Sequence, residues 1–134
     1  MVKAASTGTG DLIKMELQYK TPKVSVCVIT YNQEKYIRQC LQSIVDQETD
    51  FDFEVIVGED CSTDGTRAIV QEFSEKFPNI VKPIYQKKNI DGGGYNFLTV
   101  HRAARGEYVA HIDGDDFALP GKLQAQANIL EFKS

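Results

Sequence analysis

Apolar residues follow two alternating rhythms along this chain. Val24 to Ile29 (Val-Ser-Val-Cys-Val-Ile) is a near-continuous β-branched run, the pattern of a strand buried on both faces. Thr30-Tyr31-Asn32 follow, with Asn32 placed to N-cap the next element. Apolar residues then recur at Ile37, Leu41, Ile44 and Val45, a helical stripe. Beyond a polar loop ending at Asp52, Phe53 to Gly58 predicts a second strand. Glu59 to Gly65 is dense in turn and capping residues. Ile69, Val70, Phe73 and Phe77 give a second helical stripe, closed by Pro78. Ile80 to Tyr85 reads as a short third strand, which Pro83 places near a sheet edge. Asn89 to Gly94 reads as a flexible loop, Asn96 to Ala104 as a helix, and Glu107 to Ile112 as the next strand. Leu119, Leu123, Ala127 and Leu130 mark a last helix, entered through Pro120.

The order β-α-β-α-β-α-β-α predicts an α/β fold: an open, mainly parallel sheet with right-handed crossovers and helices on both faces. At 134 residues the chain makes one domain with a real core. That domain is expected over residues 22–134, and 1–21 as a flexible or appended lead-in. Met1 to Gly10 lacks the apolar stretch of a signal peptide. No run approaches the roughly 18 apolar residues of a membrane span. Apolar content of 42% is ordinary, and a net charge of −4 speaks against nucleic acid as a partner. Cys27, Cys40 and Cys61 lack CxxC spacing. They read as reduced, mostly buried thiols, which suits a cytoplasmic protein.

Charge changes the picture most at one place. Asp113, Asp115 and Asp116 directly follow the strand Tyr108-Val109-Ala110-His111-Ile112. Carboxylates this close repel; the cluster reads either as a solvated acidic turn or as a site that becomes favourable when a divalent cation sits among the oxygens. Its place matters too, because ligands of open α/β sheets bind beyond the carboxyl ends of the strands. Three such loops can converge: Thr30–Glu34, Glu59–Asp64 and Asp113–Asp116. The first strand is followed by no GxGxxG, and no GxxxxGK[ST] occurs, which excludes a dehydrogenase-type site and a P-loop. Asp60 to Gly65 opens like an EF-hand loop, but its twelfth position is Gln71 and a strand precedes it. His101 is expected on a helix surface, and His111 as a packed or hydrogen-bonded residue rather than a ligand.

The motifs in order resemble glycosyltransferase family 2, with its GT-A fold. Val24 to Asn32 resembles the family's opening strand and turn. Glu54 to Thr66 resembles its second strand and Asp-Asp-Gly-Ser-Thr-Asp-Gly-Thr loop. Ala104 to Asp116 resembles the Gly-Glu-Tyr strand and DxD motif. The resemblance runs from about Pro22 to the end and implies the nucleotide-binding half of a metal-dependent, inverting transferase of polysaccharide biosynthesis. Its donor would be a nucleotide-diphospho-sugar, most simply a UDP-sugar, and its acceptor a saccharide or lipid-linked saccharide. It implies donor-binding roles for Thr30, Tyr31, Asn32 and Glu34, with Thr30 and Tyr31 lining the base. Asp60 would accept a hydrogen bond from the base, Asp113 would lie by ribose and diphosphate, and Asp115 with Asp113 would hold Mn2+ or Mg2+. Asp116 is a supporting or capping candidate.

Some positions depart from the family pattern. An Arg common after the Gly-rich loop is absent, the stretch here being Gly94-Tyr95-Asn96. Lys87 and Lys88 read as a solvated pair instead. Glu59 replaces an Asp, and Gly58 an apolar residue. The family's catalytic base comes from the half after DxD, so it is expected beyond residue 134, and the 134-residue chain is expected to bind donor without efficient transfer. A peripheral position on the inner face of the membrane fits such an activity. Two alternatives remain: a sugar-phosphate nucleotidyltransferase, which usually carries a basic Gly-rich loop after its first strand, and a non-catalytic nucleotide-sugar-binding module.

Overall fold

The computed structural model describes residues 1–3 and 21–133. The strands are β1 (Val2–Lys3), β2 (Val24–Thr30), β3 (Phe53–Glu59), β4 (Val81–Tyr85) and β5 (Tyr108–Asp113). The helices are α1 (Ile37–Val45), α2 (Thr66–Lys76), α3 (Gly94–Ala103) and α4 (Lys122–Lys133). The sheet order is β1-β5-β2-β3-β4, with β2 to β5 parallel and β1 antiparallel on the outside of β5. The two-residue β1 is an addition to the predicted strands. Most of the expected lead-in, residues 4–20, lies outside the described residues.

Strand alternation sorts the core into two layers. Val24, Val26, Val28, Val55, Val57, Tyr108, Ala110 and Ile112 face one side. There they meet Ile37, Leu41 and Ile44 of α1, Val70 and Phe73 of α2, and Leu123 of α4. Cys27 and Ile56 face the other side, where Val100 of α3 covers them. Right-handed crossovers explain the split. The chain moves outward from β2 to β4 through α1 and α2, then returns to the opposite side of β2 through α3. The reversal of direction puts α3 on the opposite face. It also makes the gap between β2 and β5 the switch point of the sheet, where a crevice opens.

Gly58 permits the close seat of α3. A Cβ there would stand 2.3 Å from Asn96 Oδ1 and 2.4 Å from Val100 Cγ2. Asn96, itself buried, donates to the Gly58 carbonyl at 3.0 Å and accepts from Gln86 Nε2 at 3.2 Å. At the amino ends of the strands the buried Glu54 accepts from Ser25 Oγ (2.5 Å), from the Arg105 backbone (2.9 Å) and from Arg105 Nε (3.2 Å). That network settles a carboxylate that would otherwise be costly to bury. Pro83 sits on the edge strand β4, as expected.

Two boundaries differ most from expectation. Asn32 is not an N-cap: α1 begins after Tyr36 with no side-chain cap. The last helix begins at Lys122, after Pro120 and a left-handed Gly121 (φ 81), so Pro120 lies outside it and Leu119 is 65% exposed.

Candidate functional site

The three strand-end loops converge. A cleft of about 320 Å³ is lined by Ile29, Thr30, Tyr31 and Gln33 from the end of β2, Asp60 from the end of β3, and Asp113 and Asp115 from the end of β5. Asn89, Gly92, Gly93 and Asn96 close its remaining side. A larger groove of about 550 Å³, between the end of α1 and the start of α4, gathers Asp46 and Glu48 but none of these loops.

Local chemistry explains each loop. The Thr30–Glu34 segment is tied to the 59–66 loop from both sides. Asp60 N donates to the Thr30 carbonyl at 3.0 Å. Asn32, at φ 50, donates its N–H to Ser62 Oγ (2.9 Å) and accepts the Thr63 N–H on Oδ1 (2.8 Å). Gln33 N donates to Thr66 Oγ1 at 2.8 Å, and Glu34 Oε2 accepts the Gly65 N–H at 2.8 Å. The structure therefore brings Thr30 and Tyr31 to the cleft, whereas the side chains of Asn32 and Glu34 bond the neighbouring loop and do not line it. Asp64 joins the same web, accepting from Thr66 N, Thr66 Oγ1 and Glu34 N. Burial pushes its carboxyl up, but the Thr66 and Glu34 hydrogen bonds outweigh this and hold it below the usual carboxylate range.

Asp60 is only 3% exposed. Its Oδ2 accepts from Asn89 Nδ2 at 2.7 Å. Burial, and then the neighbouring charge of Glu59, raise its carboxyl above the ordinary value. Glu59 is fully buried; its carboxylate accepts from Arg67 Nε (2.6 Å) and Ser62 N (2.9 Å). Arg67 also donates to the Gln86 carbonyl at 2.7 Å and lies over the Tyr85 ring. The Glu at this position thus anchors the loop that carries Asp60.

The aspartates sit on a tight turn. Gly114 N donates to the Ile29 carbonyl at 3.0 Å, and Asp116 N to the Asp113 carbonyl at 2.9 Å. Gly114 is needed there, since a Cβ would stand 2.8 Å from Thr30 Cβ and 2.4 Å from Gln33 Oε1. Asp113, Asp115 and Asp116 are exposed, and each offers a carboxylate oxygen within 4.8 Å of the others. Hard oxygen donors in this number suit Mg2+ or Mn2+, which keep further positions for water or phosphate oxygens. Their charge reaches Cys40, whose thiol donates to the Asp113 carbonyl at 3.5 Å. Burial, then Asp116, Asp115 and Asp113, push that thiol up to about 12.

The Asn89–Gly94 segment, expected as a flexible loop, forms a short 3-10 turn at Asp91–Gly93 beside the cleft. Asp91, Gly92 and Gly93 take positive φ (54, 58 and 99°) and lead into α3. The run of glycines, which by sequence reads only as a flexible loop, is the one signal that could have pointed to this wall, since left-handed backbone of this kind favours Gly. Gln33, Asn89 and Asn96 carried no comparable signal. His111 is hydrogen-bonded to Asp113, and His101 stacks on Phe97 on the surface of α3.

The model of Glycosyl transferase family 2 matches residues 25–133. The uncharacterized protein Rv1520 of Mycobacterium tuberculosis is 43% identical over 109 residues, which are 81% of this chain and 31% of that protein. S. aureus TarS 1–349 in complex with UDP superposes with a TM-score of 0.73 at 37% identity, over 82% of this chain and 32% of that one. The mannosyltransferase PcManGT from Pyrobaculum calidifontis, in complex with GDP-Man and Mn2+, gives a TM-score of 0.71 at 27% identity, over 87% of this chain and 37% of that one. The chain therefore spans about a third of the length of the relatives it matches. None of its described helices is long and apolar enough to cross a membrane.

Proposed function

Because this chain belongs to glycosyl transferase family 2, we propose that its cleft is the donor site of a metal-dependent, inverting glycosyltransferase that uses a nucleotide-diphospho-sugar. The observation that carries this reading is the meeting of Asp60, Thr30 and Tyr31 with Asp113 and Asp115 in one cleft at the switch point of the sheet. UDP is the favoured nucleotide. The UDP complex of TarS supports it, and so does the chemistry of Asp60, whose carboxylate accepts from the imide N–H of uracil. Tyr31, 44% exposed at the mouth, offers a ring to the base. Asn32 and Glu34 act on the donor through the loop they hold.

Asp115 and Asp113 would hold the divalent cation, with Asp116 beside them. Bound there, Mn2+ or Mg2+ supplies a Lewis acid that neutralises charge on the departing diphosphate. The chain's own part is to fix these carboxylates through the Gly114 turn and to hold the base through Asp60. Inversion would have the acceptor hydroxyl attack the anomeric carbon on the face opposite the diphosphate as the bond to the diphosphate oxygen breaks, its proton going to a general base. The acceptor is proposed as a saccharide or lipid-linked saccharide of a polysaccharide pathway. We place the protein in the cytoplasm, at the inner face of the membrane; the free thiols of Cys27, Cys40 and Cys61 fit a reducing compartment.

Titration with UDP, GDP and TDP, each with Mn2+, tests the reading. UDP is expected to bind at least about tenfold more tightly than GDP, a difference of about 1.4 kcal/mol. Preferential binding of UTP together with a sugar phosphate would support the nucleotidyltransferase instead.

A further inference from the structure

His111 lies two residues before Asp113 on β5, so both side chains leave the same face of the sheet. Its Nε2 is 2.9 Å from Asp113 Oδ1. A carboxylate only accepts, so the ring nitrogen donates. Residues two apart on a strand are roughly 6.6 Å apart at Cα, so the imidazole must lean along the strand to make this bond. Helix α3 supplies the wall that holds it there. The rings of His111 and His101 stack at 5.3 Å and 21°, and Phe97 lies 5.3 Å from His111 at 45°. Phe97 and His101, one helical turn apart, stack on each other at 4.0 Å, and His101 Nδ1 lies 2.9 Å from the Phe97 carbonyl. The three rings thus form a mutually contacting cluster, and His111 links it to one oxygen of Asp113.

The contact is half exposed, 31% for the His111 side chain and 52% for that of Asp113. A polar pair this wet adds little to folding. Its consequence is orientation: one carboxylate oxygen is engaged before any ligand arrives. We propose that His111 is a positioning residue of the donor site, fixing Asp113 Oδ1 so that Oδ2 is presented to the cation held by the aspartate cluster. This rests on the donor-site reading above. Partners of metal-binding carboxylates typically change affinity about 10- to 100-fold when removed.

Two variants of the chain separate this role from packing. His111→Phe keeps a ring for the cluster and removes the N–H. His111→Gln places an amide N–H near the position of Nε2. UDP binding is measured by calorimetry in saturating Mn2+ and again in EDTA. In Mn2+, His111→Phe should bind about tenfold more weakly than wild type and His111→Gln within about threefold of it. In EDTA the three proteins should bind alike, and the ligand-free thermal midpoint of His111→Phe should match wild type. Equal affinity of His111→Phe and wild type in Mn2+ would overturn the proposal. So would an equal loss in EDTA, or failure of Gln to restore binding. If wild type itself binds UDP no better with Mn2+ than with EDTA, the donor-site reading falls and takes this role with it. A defect confined to the variants removes the role of His111 alone.

Discussion

Asp60 carries the most information of any single side chain in the cleft. It is buried, its carboxyl is raised, and Asn89 already bonds one of its oxygens. Such a group discriminates by hydrogen-bond polarity. Uracil offers an N–H where cytosine offers a bare nitrogen, and only the former suits a carboxylate. Asp60→Asn can turn its amide to suit cytosine. Calorimetric titration of the variant should therefore show UDP weakened about 10- to 100-fold, the scale of a hydrogen bond to a charged group, and CDP weakened much less. Equal losses for the two nucleotides would remove base reading from Asp60. A role for the residue could be proposed from a motif, but its surroundings could not. Asn89 is distant in sequence and reaches Asp60 because β4 runs parallel to β3, so that the segments after both strands leave the same end of the sheet side by side.

At the scale of elements, strands and helix faces were readable wherever burial imposes a period. The β-branched run of β2 and the stripe Ile37, Leu41, Ile44 lie where periodicity puts them. Element starts were less readable. Asn32 has the composition of an N-cap, yet its side chain bonds Thr63, thirty-one residues on, and a long-range partner of that kind leaves no mark on local pattern. Leu119 fits the stripe of the last helix, but a glycine turn at Gly121 separates it from that helix. Two residues of β1 are too few to show any period. The departure at Gly58 has a structural cause that only the packed structure reveals, the close approach of α3. Gly58→Ala should accordingly cost about 1–3 kcal/mol by urea unfolding, because Asn96 and Val100 must both move. A stability equal to wild type would show that α3 does not depend on this contact.

At the scale of the whole molecule, two carboxylates of the same loop pull stability in opposite directions with pH. The folded value of Asp64 is below its unfolded value, so its contribution is present above the ordinary carboxylate pKa of about 3.9 and is lost as pH falls through the folded value. The folded value of Asp60 is raised, so its contribution is full below the ordinary value and is lost as pH rises through the folded one. Urea midpoints of Asp64→Asn should therefore fall less between pH 5 and about pH 3 than those of wild type. Parallel curves would mean that the hydrogen bonds from Thr66 and Glu34 do not favour the ionised form.

The central claim concerns the molecule as a binder: nucleoside diphosphate and cation meet at the switch point of the sheet, with Asp115 as cation ligand. Its most direct measurement is calorimetric titration of UDP into wild type and Asp115→Ala, each in Mn2+ and in EDTA. Wild type should bind at least about tenfold more tightly in Mn2+ than in EDTA, and Asp115→Ala should bind with its EDTA affinity in both. Binding that is indifferent to Mn2+ in wild type, or a full Mn2+ effect retained by Asp115→Ala, would contradict the account.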